Sequence, residues 1–151
     1  MLRGASHVAI DSKGRMAIPA RYRQQLQDCA DGALVATVDP DYCLLIYPQP
    51  EWEKVELKLK DLPSMDSRAR VLQRLYMGFA TDMELDSQGR VLLTPPLREF
   101  AKLERRGVLI GQGNKFELWD EDLWKQKQED WLAMLREDDM SRSQALESLS
   151  I

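Results

Sequence analysis

The chain has 151 residues, 44% of them hydrophobic and 30% charged, with 21 Lys+Arg against 25 Asp+Glu. That length and mixture suit one compact domain, or two small ones sharing a core, and exclude a disordered chain. No apolar run approaches the roughly 20 residues of a membrane span, Met1-Leu2-Arg3-Gly4-Ala5-Ser6-His7 does not read as a signal peptide, and Cys29 and Cys43 make no disulfide framework, so a reducing cytoplasm is expected.

Residues 6–10 alternate, with Val8 and Ile10 on one face and His7 and Ala9 on the other, which predicts a strand. Asp11-Ser12-Lys13-Gly14 predicts a turn: the carboxylate can accept from the turn's own N–H groups, and glycine supplies a positive φ. On the return strand Met16 and Ile18 face inward and Arg15 and Ala17 outward, so a hairpin is expected. Pro19 suits the first turn of a helix, and Gly32 a C-terminal stop. Residues 35–38 and 43–47 flank Asp39-Pro40-Asp41 as a second hairpin, and Pro50-Glu51-Trp52-Glu53 opens another helix. A helix over 66–76 sets Val71, Leu72 and Leu75 on one side, with Arg68, Arg70 and Arg74 mostly off it. Further on, Thr94 suits an N-cap with Pro95 at the first helical position. The helix over 95–103 buries Leu97, Phe100, Ala101 and Leu103, and Gly107 is expected to stop it. The last helix, about 120–137, carries Leu123, Trp124, Gln128, Trp131, Leu132 and Leu135 as one stripe. Residues 138–151, with Asp138, Asp139 and four serines, read as a frayed acidic tail.

The chain repeats itself. Asp11-Ser12-Lys13-Gly14-Arg15 recurs as Asp86-Ser87-Gln88-Gly89-Arg90, 75 positions later. At the same offset Val8 and Ile10 answer to Met83 and Leu85, Met16 and Ile18 to Val91 and Leu93, and Gly32-Ala33-Leu34-Val35 to Gly107-Val108-Leu109-Ile110. After a loop three residues shorter, Ile46-Tyr47 answers to Leu118-Trp119 and Trp52 to Trp124. The predicted organisation is a first repeat at 4–58, a linker helix at 59–78, a second repeat at 79–128, and the end of the last helix with the tail at 129–151. The fold class is mainly β with helices, α+β.

The net charge of −4 hides strong unevenness. Residues 1–23 carry Arg3, Lys13, Arg15, Arg21 and Arg23 against Asp11 alone. Residues 86–107 carry Arg90, Arg98, Lys102, Arg105 and Arg106 against Asp86, Glu99 and Glu104. Residues 117–151 hold ten acidic and four basic side chains. A negative total argues against indiscriminate nucleic-acid binding, but a local basic face acts within about 8 Å at ordinary salt.

Little here supports catalysis, and no cofactor or metal is expected. One histidine and two cysteines make a poor zinc ligand set, and no phosphate-binding glycine loop occurs. Ser12 and Ser87 have no base spaced to activate them and read as turn residues; His7 reads as a surface histidine. Trp52, Trp119, Trp124 and Trp131 read as core or interface residues. An enzyme built on Asp11 and Asp86 lacks any pocket or raised pKa to support it.

The repeated turn suits DNA better. An arginine on a rigid turn can reach guanine O6 and N7 with two bonds, or grip a phosphate. Arg15 and Arg90 are the candidate readers, with Lys13 and Gln88 at the turn tips and Arg21 and Arg23 on the following helix as phosphate contacts. Asp11, Gly14, Asp86 and Gly89 form the turns. The plainer alternative is that each Asp-x-x-x-Arg is only a local ion pair. The four cations within eleven residues of the first copy (Lys13, Arg15, Arg21, Arg23) favour DNA.

The doubled Asp-Ser-x-Gly-Arg, the Ile18-Pro19 that follows the first copy, and the total length resemble the MraZ family. The resemblance covers the chain to about residue 140. It implies an AbrB-like swapped-hairpin barrel, a double-split β-barrel in which two tandem AbrB-like repeats of one chain interlock. It also implies a cytoplasmic, nucleoid-associated repressor of its own promoter, at the head of the division and cell-wall gene cluster. The partner would be double-stranded DNA at closely spaced G-rich direct repeats, bound by a ring-like homo-oligomer. Gln88 stands where the first copy has Lys13, and Thr94-Pro95-Pro96 where it has Pro19-Ala20-Arg21, so the first copy is expected to be the main reader. The alternative within the same barrel group is an antitoxin-like interaction module whose acidic tail binds a toxin.

Overall fold

Eight antiparallel strands and five α-helices make up the computed structural model, which describes residues 1–137 together with Leu146 and Leu149. The acidic tail at 138–151 therefore lies, but for those two leucines, outside the described residues. In chain order the elements are β1 (Leu2–Ala9), β2 (Arg15–Ala17), α1 (Ala20–Ala30), β3 (Ala33–Val38), β4 (Leu44–Pro48), α2 (Gln49–Lys60) and α3 (Ser67–Leu72). A π-helical turn, Gln73–Met77, continues α3, and then come β5 (Thr81–Glu84), β6 (Arg90–Leu92), α4 (Pro95–Phe100), β7 (Arg106–Gly113), β8 (Phe116–Asp120) and α5 (Glu121–Arg136). The chain is thus α+β, as its patterning predicts.

The strands exchange between the repeats. Six form one sheet in the order β1-β7-β8-β4-β3-β5, and β2 and β6 form a separate two-stranded ribbon. Only β3–β4 and β7–β8 pair with their sequence neighbours; β1 pairs with β7, β3 with β5, and β4 with β8. Each edge strand of the large sheet leads through an Asp-Ser-x-Gly turn into the ribbon, so a single core lies between the two sheets. It includes Met16, Ile18, Val91 and Leu93 from the ribbon side and Leu34, Ile46, Leu109, Phe116 and Leu118 from the sheet. Each such side chain contributes roughly 1.5–3 kcal/mol on full burial.

This exchange corrects the expected first hairpin. Strands β1 and β2 do not form a ladder; a single bridge, Ile10 to Met16, joins them, and β2 pairs with β6 instead. Alternation identifies which face of a strand is buried and says nothing of its partner. The inward positions hold all the same: Met16 and Ile18 are fully buried, and Ala17 is exposed.

Two helix boundaries also move. Pro19 is the cap before α1 (φ −53, ψ 138), so the helix begins one residue later than expected. Helix α4 ends at Phe100 rather than Leu103, and Lys102 takes the left-handed conformation (φ 55). The chain has consequently entered β7 before it reaches Gly107, which pairs with Val8 and Asp120 and stops no helix. Its glycine serves close approach, since a β-carbon there would lie 3.0 Å from Trp119 O. Gly32 does act as expected, following the left-handed Asp31 and donating to Leu26 O at the end of α1.

The linker helix is tied to the body by side chains. The Asp66 carboxylate caps α3, accepting from the N–H groups of Arg68 and Ala69 at 2.8 and 3.1 Å. Thr37, fully buried on β3, donates to Tyr76 O at 2.6 Å, and Gln73 Nε2 donates to Leu59 O at 2.8 Å. Trp52 and Trp119 are core residues. Both cysteines are free thiols; Cys43 is buried, which pushes its thiol up from the usual range, and Cys29 is exposed. From Glu121 onward the described residues form a second unit. Within it α5 pairs Trp124 edge-on with Trp131, ring centroids 5.4 Å apart, and Lys125 with Glu121 at 3.6 Å. Among the described residues no helix is long and apolar enough to cross a membrane.

Candidate nucleic-acid interface

Both Asp-Ser-x-Gly-Arg segments close into the same hydrogen-bonded turn. In the first, Gly14 N donates to Asp11 O and Asp11 N to Arg15 O, each at 3.0 Å. The carboxylate then gathers three further donors: Lys13 N and Arg15 N on Oδ1 at 3.0 and 2.9 Å, and Arg15 Nε on Oδ2 at 2.7 Å. In the second, Gln88 N and Arg90 N reach Asp86 Oδ1 at 2.9 and 2.8 Å, and Arg90 Nε reaches Oδ2 at 2.9 Å. Gly14 and Gly89 sit at φ +87 and +74, the left-handed region that glycine enters without penalty.

Accepting so many bonds stabilises the ionised carboxylate. The Arg15 backbone N–H is the largest influence holding Asp11 below the usual carboxylate range, ahead of the Arg15 side-chain bond, the Lys13 N–H and the arginine's charge. The Arg90 backbone N–H does the same for Asp86. A lowered carboxyl pKa contributes stability above the unfolded value, near 3.9, which is lost as pH falls through the folded value. The turns should therefore persist through the neutral and mildly acidic range and open only below about pH 4. Backbone amide shifts of Lys13, Arg15, Gln88 and Arg90, followed by NMR, should titrate with midpoints under 3.8; a midpoint above that value would contradict the geometry.

The two arginines share one surface. The ribbon register sets Met16 opposite Val91, Arg15 opposite Leu92 and Ala17 opposite Arg90. A local two-fold therefore passes between Met16 and Val91, and Arg15 and Arg90 stand diagonally on the outer face, roughly 7–8 Å apart at the backbone. Their side chains are 36% and 30% exposed. Each ion pair runs through Nε, so the four Nη hydrogens of each guanidinium stay outside it. Lys13 and Gln88 are exposed at the turn tips. A two-stranded ribbon of this kind fits the major groove, about 12 Å wide.

Arg21 and Arg23 lie on the following helix, α1, as expected, but the exchange carries that helix toward the second turn. Arg23 does not sit beside the first turn: α1 reaches the second. Its Nε donates to Ile18 O at 2.7 Å, and a β-carbon on Gly89 would lie 2.3 Å from that nitrogen. The counterpart Arg98, on α4, donates Nε to Leu93 O at 3.0 Å and lies against Gly14, where a β-carbon would come within 2.8 Å. Main-chain bonds complete the lock: Ile18 N to Gly89 O at 2.9 Å and Leu93 N to Gly14 O at 2.8 Å. Sequence reading missed Arg98, although the signal was present, since Arg23 and Arg98 recur at the same offset of 75. Arg21 is apart from both turns; it donates to Ser6 Oγ and lies 4.7 Å from the Tyr22 ring centroid. Arg23→Ala should cost about 1 kcal/mol of stability through its lost hydrogen bond, and Arg21→Ala less; urea unfolding of the two variants measures the difference.

The family model described as "MraZ protein, putative antitoxin-like" matches residues 1–75 and again 76–147. The chain belongs to the MraZ family. Its two matches abut at the end of the linker helix, in keeping with the duplicated turn. Among similar proteins is the "Transcriptional regulator MraZ" of Thioalkalivibrio sulfidiphilus, 55% identical with both chains covered in full. The proteins of the same name from Halorhodospira halophila and Pseudomonas aeruginosa are 49% identical over both whole chains and 51% identical over 91% of each.

Proposed function

We propose that this chain is a sequence-specific DNA-binding transcriptional regulator. It represses its own promoter in the division and cell-wall gene cluster, and it reads G-rich direct repeats as a ring-forming homo-oligomer in the cytoplasm, on the nucleoid. The observation that carries this reading is the placement of Arg15 and Arg90 on one exposed ribbon, each held by its own aspartate with its Nη donors outside the pair. The name shared by the curated MraZ relatives points the same way.

On this reading Arg15 and Arg90 meet guanine edges, the pairing with aspartate having already restricted the side chain before DNA arrives. Lys13 and Gln88 add donors at the tips. Arg21 and the Nη group of Arg23 reach backbone phosphates, which position the protein without reading sequence. Catalysis finds no support in the same carboxylates, because a group held below its usual pKa is a poor general acid near neutrality. One chain of net charge −4 with a small basic face binds a single box weakly. An oligomer presenting several such faces makes later contacts intramolecular, which suits direct repeats.

The deciding measurement is binding to the duplex just upstream of the chain's own gene across a salt series. Affinity should fall linearly in log–log with added salt, by about 0.9 for each neutralised phosphate. Salt-insensitive binding, or equal affinity for a shuffled duplex, would overturn the reading.

A further inference from the structure

The two turns share nearly the same backbone surroundings but stand in opposite charge. Just before the first, Ile10 N donates to Arg105 O at 2.8 Å; just before the second, Leu85 N donates to Gly32 O at 3.0 Å. One residue further out, Ala9 pairs with Arg106, whereas Glu84 pairs with Ala33. The two flanking positions are thus Arg105 and Arg106 at the first turn, and Gly32 and Ala33 at the second; pairing makes Gly107 the counterpart of Leu34, two residues off the constant offset that matches it to Gly32. The strand residue opposite is Ala9 in one case and the acidic Glu84 in the other. At the tips, Lys13 answers to Gln88.

The grooves beside the turns reflect this. The one at the first turn, about 720 Å³, is lined by Asp11, Ser12, Arg98, Arg105 and Arg106, with Glu104. Asp11 is already neutralised by Arg15, so the arginines outweigh the remaining acid. The one at the second turn, about 280 Å³, has Arg23 as its single cation, among Gln24, Gln27 and Gln88. Arg105 and Arg106 are exposed, and neither makes an ion pair among the described residues.

A ribbon with a local two-fold and equal surroundings would lie on DNA in either of two orientations with equal affinity. Unequal charge removes that degeneracy, because guanidinium groups within about 8 Å of a phosphate are not screened at ordinary salt. We infer that Arg105 and Arg106 form a phosphate-binding groove for the DNA backbone beside the first turn, and that this groove sets the direction in which each chain lies on the duplex. The inference rests on the DNA-binding reading above and deepens it: direct repeats require every subunit to face the same way.

The test compares the Arg105→Ala/Arg106→Ala variant with the unaltered full-length chain on own-promoter and shuffled duplexes. The slope of log affinity against log salt should fall by about 1.8, that is about 0.9 for each lost phosphate contact. The loss should be the same on both duplexes, so that discrimination between them survives. Arg105→Lys/Arg106→Lys should keep the slope, since a phosphate needs the charge, and Gln24→Ala/Gln27→Ala at the second groove should leave it unchanged. Arg105→Gln/Arg106→Gln, which retains polar stems, repeats the measurement should the alanine pair fold poorly. An unchanged slope in the alanine or glutamine pair overturns the groove while leaving DNA binding intact. A salt-insensitive unaltered chain overturns both.

Discussion

Arg15→Ala is expected to weaken binding to own-promoter DNA by about 1–3 kcal/mol and to blur the preference over a shuffled duplex. The size follows from what is lost: a donor pair able to make two bonds to one base edge, already restrained through Nε. Among the described residues no hydrogen bond uses the Nη groups of Arg15, and Asp11 keeps its bonds from the Lys13 and Arg15 backbone N–H groups, so the turn should survive the change. Fluorescence anisotropy with the two duplexes, alongside thermal unfolding of the same variant, separates the outcomes. If the variant is much less stable yet binds as well per folded molecule, the arginine is only an ion-pair partner and the DNA reading loses its central residue. Arg90→Ala should move in the same direction by less, because its surroundings are less basic.

The largest stability loss is expected for Gly14→Ala. At φ +87 an alanine is strained by about 1–2 kcal/mol. Its β-carbon would also lie 2.7 Å from Leu93 O and 2.8 Å from Arg98 Nε. The first of these is main chain, joined to the same turn by the Leu93 N to Gly14 O bond, so relief requires the first turn to part from the segment that leaves β6. A total near 3 kcal/mol follows, each strained element of this kind costing on the order of 1–3 kcal/mol. Gly89→Ala should cost less, because the nearest atoms belong to the Arg23 side chain, which can swing aside at the expense of its bond to Ile18 O. Urea midpoints rank the two; equal midpoints, or a Gly14→Ala midpoint matching the parent, would show that the first turn is not locked to the segment after β6.

The duplicated turn was fully legible in the residues. An aspartate that collects N–H groups two and four positions on, a glycine at positive φ, and an arginine returning to the same carboxylate all act within five residues, so no distant partner is needed to specify them. The linker helix and α5 were legible as helices from the three-to-four spacing of their apolar residues, but not the face the linker buries: Val71 and Leu72 are exposed, and Ala69 is the buried residue of α3. Less of the site was legible. The sequence offers Arg23 only as a phosphate contact on the helix after the first turn, whereas the fold lays it against Gly89 of the second. Arg105 and Arg106 looked like an ordinary basic run, because their nearness to Ile10 and Ala9 spans almost a hundred residues of chain.

Local sequence thus determined the two aspartate-braced turns, the inward faces of their strands and the repeat that relates them. Tertiary structure alone decided that β2 takes β6 as its partner, that both reading arginines share one ribbon, and that three arginines collect at the first turn but one at the second. The reason is physical: an alternating strand offers its main-chain donors and acceptors to any neighbour of matching register. Which neighbour takes them is settled by closure of a single core from both repeats together.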